Sequence, residues 1–136
     1  MHIIIYSDGG SRGNPGPAGI GAVLWNADKT KKLAQISKYI GETTNNQAEY
    51  RALDAALDRA KELGAKTIEC YLDSQLVVRQ LEGKYKVKEP GIAAIFPAIK
   101  FKLHSFGTHS CHDIRRELNK DADALVNEAL DKKLKN

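Results

Sequence analysis

The stretch YSDGGSRGNPGPAGIGAVLW, residues 6–25, follows three isoleucines with an aspartate, then places six glycines and two prolines before Trp25. The run Ile3-Ile4-Ile5-Tyr6 is short, β-branched and apolar, the pattern of a buried strand. Asp8 is therefore expected just past the strand, where the chain emerges from the core. The Gly/Pro-rich segment reads as a turn in which backbone approaches backbone, or a ligand, closely. The same residues also describe a solvated hairpin turn with an ordinary Asp, so the rest of the chain must decide.

Working outward, Ile20–Trp25 and Leu33–Ile40 read as two further strands joined by the polar turn Asn26-Ala27-Asp28-Lys29, an antiparallel meander. Thr44-Asn45-Asn46-Gln47 has the form of a capping box. Behind it Leu53, Ala56, Leu57, Ala60 and Leu63 recur at helical spacing, and Gly64 suits the position after the helix end. Thr67–Asp73 alternates as a strand, and its long crossover helix predicts a parallel neighbour. A short helix is expected over Ser74–Leu81, then a basic loop, EGKYKVKEPG. Ile92–Leu103 is an apolar helix candidate interrupted by Pro97, Ser105–Ser110 a weak strand, and a last helix begins near Asn119 and runs to about Leu134. This order predicts an α/β domain of two or three layers with a mixed sheet, one domain over residues 1–136.

Of the 136 residues, 42% are hydrophobic and 28% charged, and no apolar run approaches a membrane span. With no signal-peptide pattern and two isolated cysteines, Cys70 and Cys111, a cytoplasmic protein with reduced thiols is expected. Net charge is +4. Residues 1–82 carry ten basic and ten acidic side chains, so the whole surplus lies beyond them, with Lys84, Lys86, Lys88, Lys100 and Lys102 facing only Glu89. A polyanionic partner fits that distribution, as does a solvated lysine-rich surface.

Four acids stand at element ends or on apolar faces. Asp8 follows the first strand and Asp73 ends the fourth. Glu49 shares the apolar face of its helix four residues before Leu53, and Asp123 heads the stripe Val126, Leu130, Leu134. Acids so placed are costly unless paired or metal-bound. If the strands of Asp8 and Asp73 are parallel neighbours, their ends lie about 5 Å apart, and the two helix N-termini can bring the other acids to the same edge. Four oxygen donors without His or Cys suit Mg²⁺ or Mn²⁺, two ions about 4 Å apart serving in-line phosphodiester displacement. His104, His109, Cys111 and His112 offer zinc-type ligands, but no second ligand pair accompanies them.

YSDGGSRGNPGPAGIG, TTNNQAEYRAL, LDSQLVVRQLEGKYKVK and RELNKDADALVNEALD resemble, in order and spacing, the successive motifs of type 1 ribonuclease H over nearly the whole chain. The resemblance implies the ribonuclease H-like fold, a five-stranded mixed sheet flanked by helices. It also implies metal-dependent endonucleolytic hydrolysis of the RNA strand of RNA–DNA hybrids, giving 5′-phosphate and 3′-hydroxyl ends. Asp8, Glu49, Asp73 and Asp123 match the metal-binding carboxylates, for two Mg²⁺ or Mn²⁺ ions once substrate is bound. Gly9, Gly10, Ser11, Arg12 and Asn14 fall in the substrate-facing turn. Asn45, Asn46, Gln47 and Gln75 match minor-groove readers, which contact 2′-hydroxyls and base edges, and Thr44 a DNA-strand phosphate contact.

The chain also departs from the pattern. The extra basic helix of longer members is replaced by EGKYKVKEPG, where Lys84, Lys86 and Lys88 are a partial substitute. Glu42 stands where some relatives are basic. The place of a catalytic loop His, ten residues before Asp123, holds Asp113 with His112 beside it, so either is expected to serve there in a mobile loop. The implied partner is an RNA–DNA hybrid, with double-stranded RNA the second candidate, no membrane, and the chain acting as a monomer. The competing readings are a catalytically weak hybrid- or double-stranded-RNA-binding module of the same fold, and a related nuclease or resolvase.

Overall fold

The computed structural model describes residues 1–135. In chain order it comprises β1 (His2–Ser11), β2 (Gly16–Trp25), β3 (Lys32–Thr43), α1 (Asn45–Glu62), β4 (Thr67–Leu72), α2 (Gln75–Leu81), α3 (Pro90–His104), β5 (Thr108–Asp113), a 3-10 turn (Arg116–Leu118) and α4 (Lys120–Leu134). The strands form one sheet in the order β3-β2-β1-β4-β5. β1 pairs antiparallel with β2 and parallel with β4, as the crossover through α1 requires.

Two layers of helix cover the sheet. On one face Ile3, Ile5, Ile68, Cys70 and Leu72 pack with Tyr50, Leu53 and Leu57 of α1 and Ile92, Ile99 and Leu103 of α3 in a continuous core. On the other face α4 lies across β1, β2 and β3, burying Val126 and Leu130. The Thr44 hydroxyl caps α1, accepting from the Gln47 amide at 3.2 Å, and Gly64 adopts φ +91° just beyond it. α3 runs through Pro97 without a break, since Pro97 and Ala93, whose carbonyl loses its helical donor, both face solvent. Among the described residues, no helix is long and apolar enough to cross a membrane.

Three expectations are corrected. β1 does not end before Asp8; it continues through Gly9 and Gly10 to Ser11, with Asp8 opposite Gly21. Two glycines of the opening stretch stand where helices press on the sheet rather than in a turn. A Cβ on Gly9 would fall on the Ala48 carbonyl group of α1, and one on Gly21 on the Ala122 carbonyl of α4. The tight turn itself is only Arg12–Pro15. The weak strand lies three residues later than Ser105–Ser110, so His112 and Asp113 belong to edge strand β5 and not to a loop.

Candidate active site

β1 and β4 run parallel, so their C-terminal ends deliver Asp8 and Asp73 to one edge of the sheet. α1 crosses that edge at Gly9, which brings Glu49 in from its second turn. Ligand oxygens of Asp8, Glu49 and Asp73 all lie within 4.8 Å of one another, and among the described residues no other cluster of three or more metal-ligating side chains forms. His104 and His109, though their rings are 4.6 Å apart, do not gather a third zinc ligand. Asp123, at the start of α4, lies outside this trio but in the same cleft, where its charge and a hydrogen bond act on Asp8.

Burial and mutual repulsion dominate the electrostatics of the acids. Asp8 is 7% exposed, and burial, followed by the Asp73 charge, raises its pKa to about 7. Burial and then Asp8 raise Glu49 well above the usual range, while burial raises Asp73 against the opposing pull of its hydrogen bond with Asp8 and then of Arg116. Glu49 Oε2 is buried without a hydrogen-bond partner. An orphaned carboxylate oxygen beside two further acids fits a hard divalent cation, which would satisfy the oxygen and remove the repulsion.

The carboxylates floor a cleft of about 410 Å³, walled also by Gly9, Gly10, Ser11, Arg12, Asn45, Asn46, Ser74, Arg116 and Asn127. Its rim is braced. Asn45 Oδ1 accepts from the Ser11 amide at 2.8 Å, and the Asn45 amide donates to Asn14 Oδ1 at 3.1 Å. Arg12 is tied to Asp131 of α4 at 2.6 Å. The side-chain NH₂ of Asn45 and the Asn46 side chain remain at the cleft.

Other residues singled out from the sequence stand apart from this cleft. Gln47 turns away from it, donating to Glu89 Oε1 at 2.9 Å. Gln75 is exposed at the start of α2. Lys84, Lys86 and Lys88 line a neighbouring groove that meets the cleft at Asn46. Neither His112 nor Asp113 lines the cleft: His112 is stacked on Tyr71 at 5.1 Å, and the exposed Asp113 is level with Leu72. Of the segment between β5 and α4, the basic residue that lines the cleft is Arg116, in the 3-10 turn, together with Arg12 of the β1–β2 turn. In the sequence Arg116 heads the motif RELNKDADALVNEALD, within which its charge is its only local signal.

A five-stranded mixed sheet with helices on both faces and acids converging at the C-terminal edge of its parallel strands defines a ribonuclease H-like domain. The family described as Reverse transcriptase-like matches residues 6–129. RNase H1 from Halobacterium salinarum superposes with a TM-score of 0.93 at 43% identity, covering 97% of this chain and 99% of that one. LC11-RNase H1, solved in complex with an RNA/DNA hybrid, does so at 0.91 and 47%, covering 97% and 99%. In sequence, the chain is 45% identical over 131 residues to the Bifunctional protein Rv2228c of Mycobacterium tuberculosis, matching 96% of this chain and 36% of that protein. It is 45% identical over 126 residues to the Ribonuclease HI of Halobacterium salinarum, 93% of this chain and 63% of that one. The chain thus spans about a third of the mycobacterial protein and under two-thirds of the halobacterial one. It belongs to the type 1 ribonuclease H family.

Proposed function

We propose that this chain hydrolyses the RNA strand of RNA–DNA hybrids, leaving 5′-phosphate and 3′-hydroxyl ends. The observation that carries the reading is the convergence of Asp8, Glu49 and Asp73 on one point, with Glu49 Oε2 buried and unpartnered. The hybrid bound by a relative of 47% identity supports the substrate class.

In this reading Asp8, Glu49, Asp73 and Asp123 hold two Mg²⁺ or Mn²⁺ ions. Bound there, the ions supply Lewis-acid chemistry for in-line displacement at phosphorus. The chain's own residues bind and orient. The Asn45 amide and Asn46 read the minor groove and its 2′-hydroxyls, with Gln75 beyond them on α2. The backbone of Gly9 and Gly10, with Ser11 and Arg12, follows the RNA strand, and the Thr44 hydroxyl retains a proton to donate to a DNA-strand phosphate. Lys84, Lys86 and Lys88 extend the grip along the duplex. Arg116 acts at the cleft in place of His112 and Asp113, but not as a proton carrier. Its permanent charge excludes proton transfer, so it acts by holding positive charge beside Asp73 and the reacting phosphate. A cytoplasmic location fits the two unbridged thiols Cys70 and Cys111.

The test is turnover of strand-labelled hybrid in Mg²⁺ by the wild type, Asp8→Asn and Glu49→Gln. The wild type cuts the RNA strand and the variants are inactive. Retention of roughly a tenth of wild-type turnover by either variant would remove that carboxylate from the centre of the mechanism.

A further inference from the structure

The groove beside the cleft, about 530 Å³, is lined by Asn46, Leu76, Lys84, Tyr85, Lys86 and Lys88, with Glu89 at its end. Its lysines stand on the loop between α2 and α3, and that loop is held at two points by α1. Tyr50, fully buried, donates from its hydroxyl to Gln80 Oε1 at 2.7 Å, and Gln80 Nε2 donates onward to the Lys86 carbonyl at 3.2 Å. Three residues along the loop, Glu89 Oε1 accepts from Gln47 Nε2 at 2.9 Å. Glu89 precedes α3 at its N-cap position, yet its carboxylate makes no capping bond there. It reaches across to α1 instead. Gly91 leaves the room for this, since a Cβ there would fall on the Gln47 amide and crowd the Glu89 carboxylate.

We infer that the Glu89–Gln47 pair is a clamp that fixes the lysine loop on the catalytic helix, so that Lys84, Lys86 and Lys88 are positioned for duplex phosphates before the substrate arrives. Gln47 and Tyr50 flank Glu49, so the loop is registered against the helix that carries a metal-site acid. Glu89 is a positioning residue and touches no reacting atom. The inference rests on the proposed hybrid substrate. It explains why an acid is kept beside three lysines: ordering the loop in advance lowers the cost of ordering it on binding.

The test exploits opposite signs. By charge alone, removing Glu89 from a lysine-lined groove tightens phosphate binding. As a clamp, its loss weakens it. Glu89→Ala and Gly91→Ala should each raise the KM for hybrid roughly threefold to tenfold, with kcat within twofold, and should speed amide hydrogen exchange over residues 84–88 in the free protein. Glu89→Gln, which still accepts from Gln47, should match the wild type or bind more tightly. Gly91→Ala should not lower the melting temperature, because a helical position favours Ala over Gly and the displaced atoms are side-chain tips. Wild-type or tighter binding by Glu89→Ala overturns the clamp. Unchanged exchange over the loop overturns it whatever the substrate, whereas a wild type that neither binds nor cuts hybrid overturns the functional reading and with it the role in grip.

Discussion

The side-chain amide of Asn119, 1% exposed, donates to the main-chain carbonyl of Ser7 at 2.9 Å. That bond ties the N-terminus of α4 to β1 at the residue before Asp8. Asp123 lies one helical turn further on, so the Asn119–Ser7 contact sets the fourth acid against the other three.

Asn119→Ala should therefore cost both stability and rate. Losing a buried hydrogen bond predicts about 1–3 kcal/mol by denaturant unfolding. A shifted Asp123 predicts a roughly tenfold or greater fall in kcat. Asn119→Asp retains a polar residue before α4 but cannot donate, and should behave like the alanine variant. Wild-type turnover by either would show that the anchor does not place Asp123.

Metal-free stability should depend on pH in a direction set by Asp8. The native carboxyl protonates near 7 and an unfolded one near 3.8, so between those values the native state alone holds the proton. Stability should then fall as pH rises from about 4 to about 7. Asp8→Asn should weaken this dependence and be the more stable protein at pH 8 in EDTA, while Mg²⁺ should raise the wild-type melting temperature more than the mutant's. A wild type in EDTA that is equally stable to urea at pH 5 and pH 8 would contradict the raising of Asp8 by burial and by the Asp73 charge.

Arg116 and the pair His112 and Asp113 make opposite predictions. Arg116→Ala should lower kcat at least roughly tenfold across the neutral pH range. His112→Ala with Asp113→Ala should stay within about threefold of the wild type, because neither side chain lines the cleft. A tenfold loss in the double variant, with a flattened pH–rate profile, would restore proton transfer to β5.

The glycines of β1 separate packing from substrate contact. Gly9→Ala places a methyl on the α1 backbone and should cost about 3 kcal/mol or prevent folding. At Gly10 the nearest atoms to an added Cβ are Val126 at 3.8 Å and Asn45 at 3.9 Å. Gly10→Ala should therefore fold normally, and any loss it shows should appear in KM. Equal stability of the two variants, measured by thermal unfolding, would contradict the packing account.

These positions show how far the sequence could be read. The Thr44 cap, the apolar stripe of α1 and the alternation of β4 carry strong local signals, and each lies where its pattern predicts, whereas Asp8 stands inside β1 rather than past it and Asp123 lies outside the trio of Asp8, Glu49 and Asp73. Gly9 and Gly10 read as turn because glycine is a poor strand former. What keeps Gly9 in β1 is the approach of α1, a tertiary contact without local trace. β5 slipped by three residues because an edge strand of Thr, His, Ser and Cys has little apolar alternation to set its register. That slip also put His112 and Asp113 in a loop, while Arg116, at the head of the motif RELNKDADALVNEALD, has only its charge as a local signal. The Glu89–Gln47 bond spans 42 residues and depends on the room at Gly91, which no spacing rule expresses.

The central claim is metal-dependent hydrolysis of hybrid RNA at the Asp8–Glu49–Asp73 edge. Its most direct measurement is cleavage of RNA–DNA, RNA–RNA and DNA–DNA duplexes labelled on each strand, in Mg²⁺, in Mn²⁺ and in EDTA, with the product ends identified. The account predicts internal cuts in the RNA strand of the hybrid bearing 5′-phosphate and 3′-hydroxyl ends, abolished by EDTA and restored by either metal, with the DNA strand intact. Cleavage that persists in EDTA, or products ending in 2′,3′-cyclic phosphate, would contradict it.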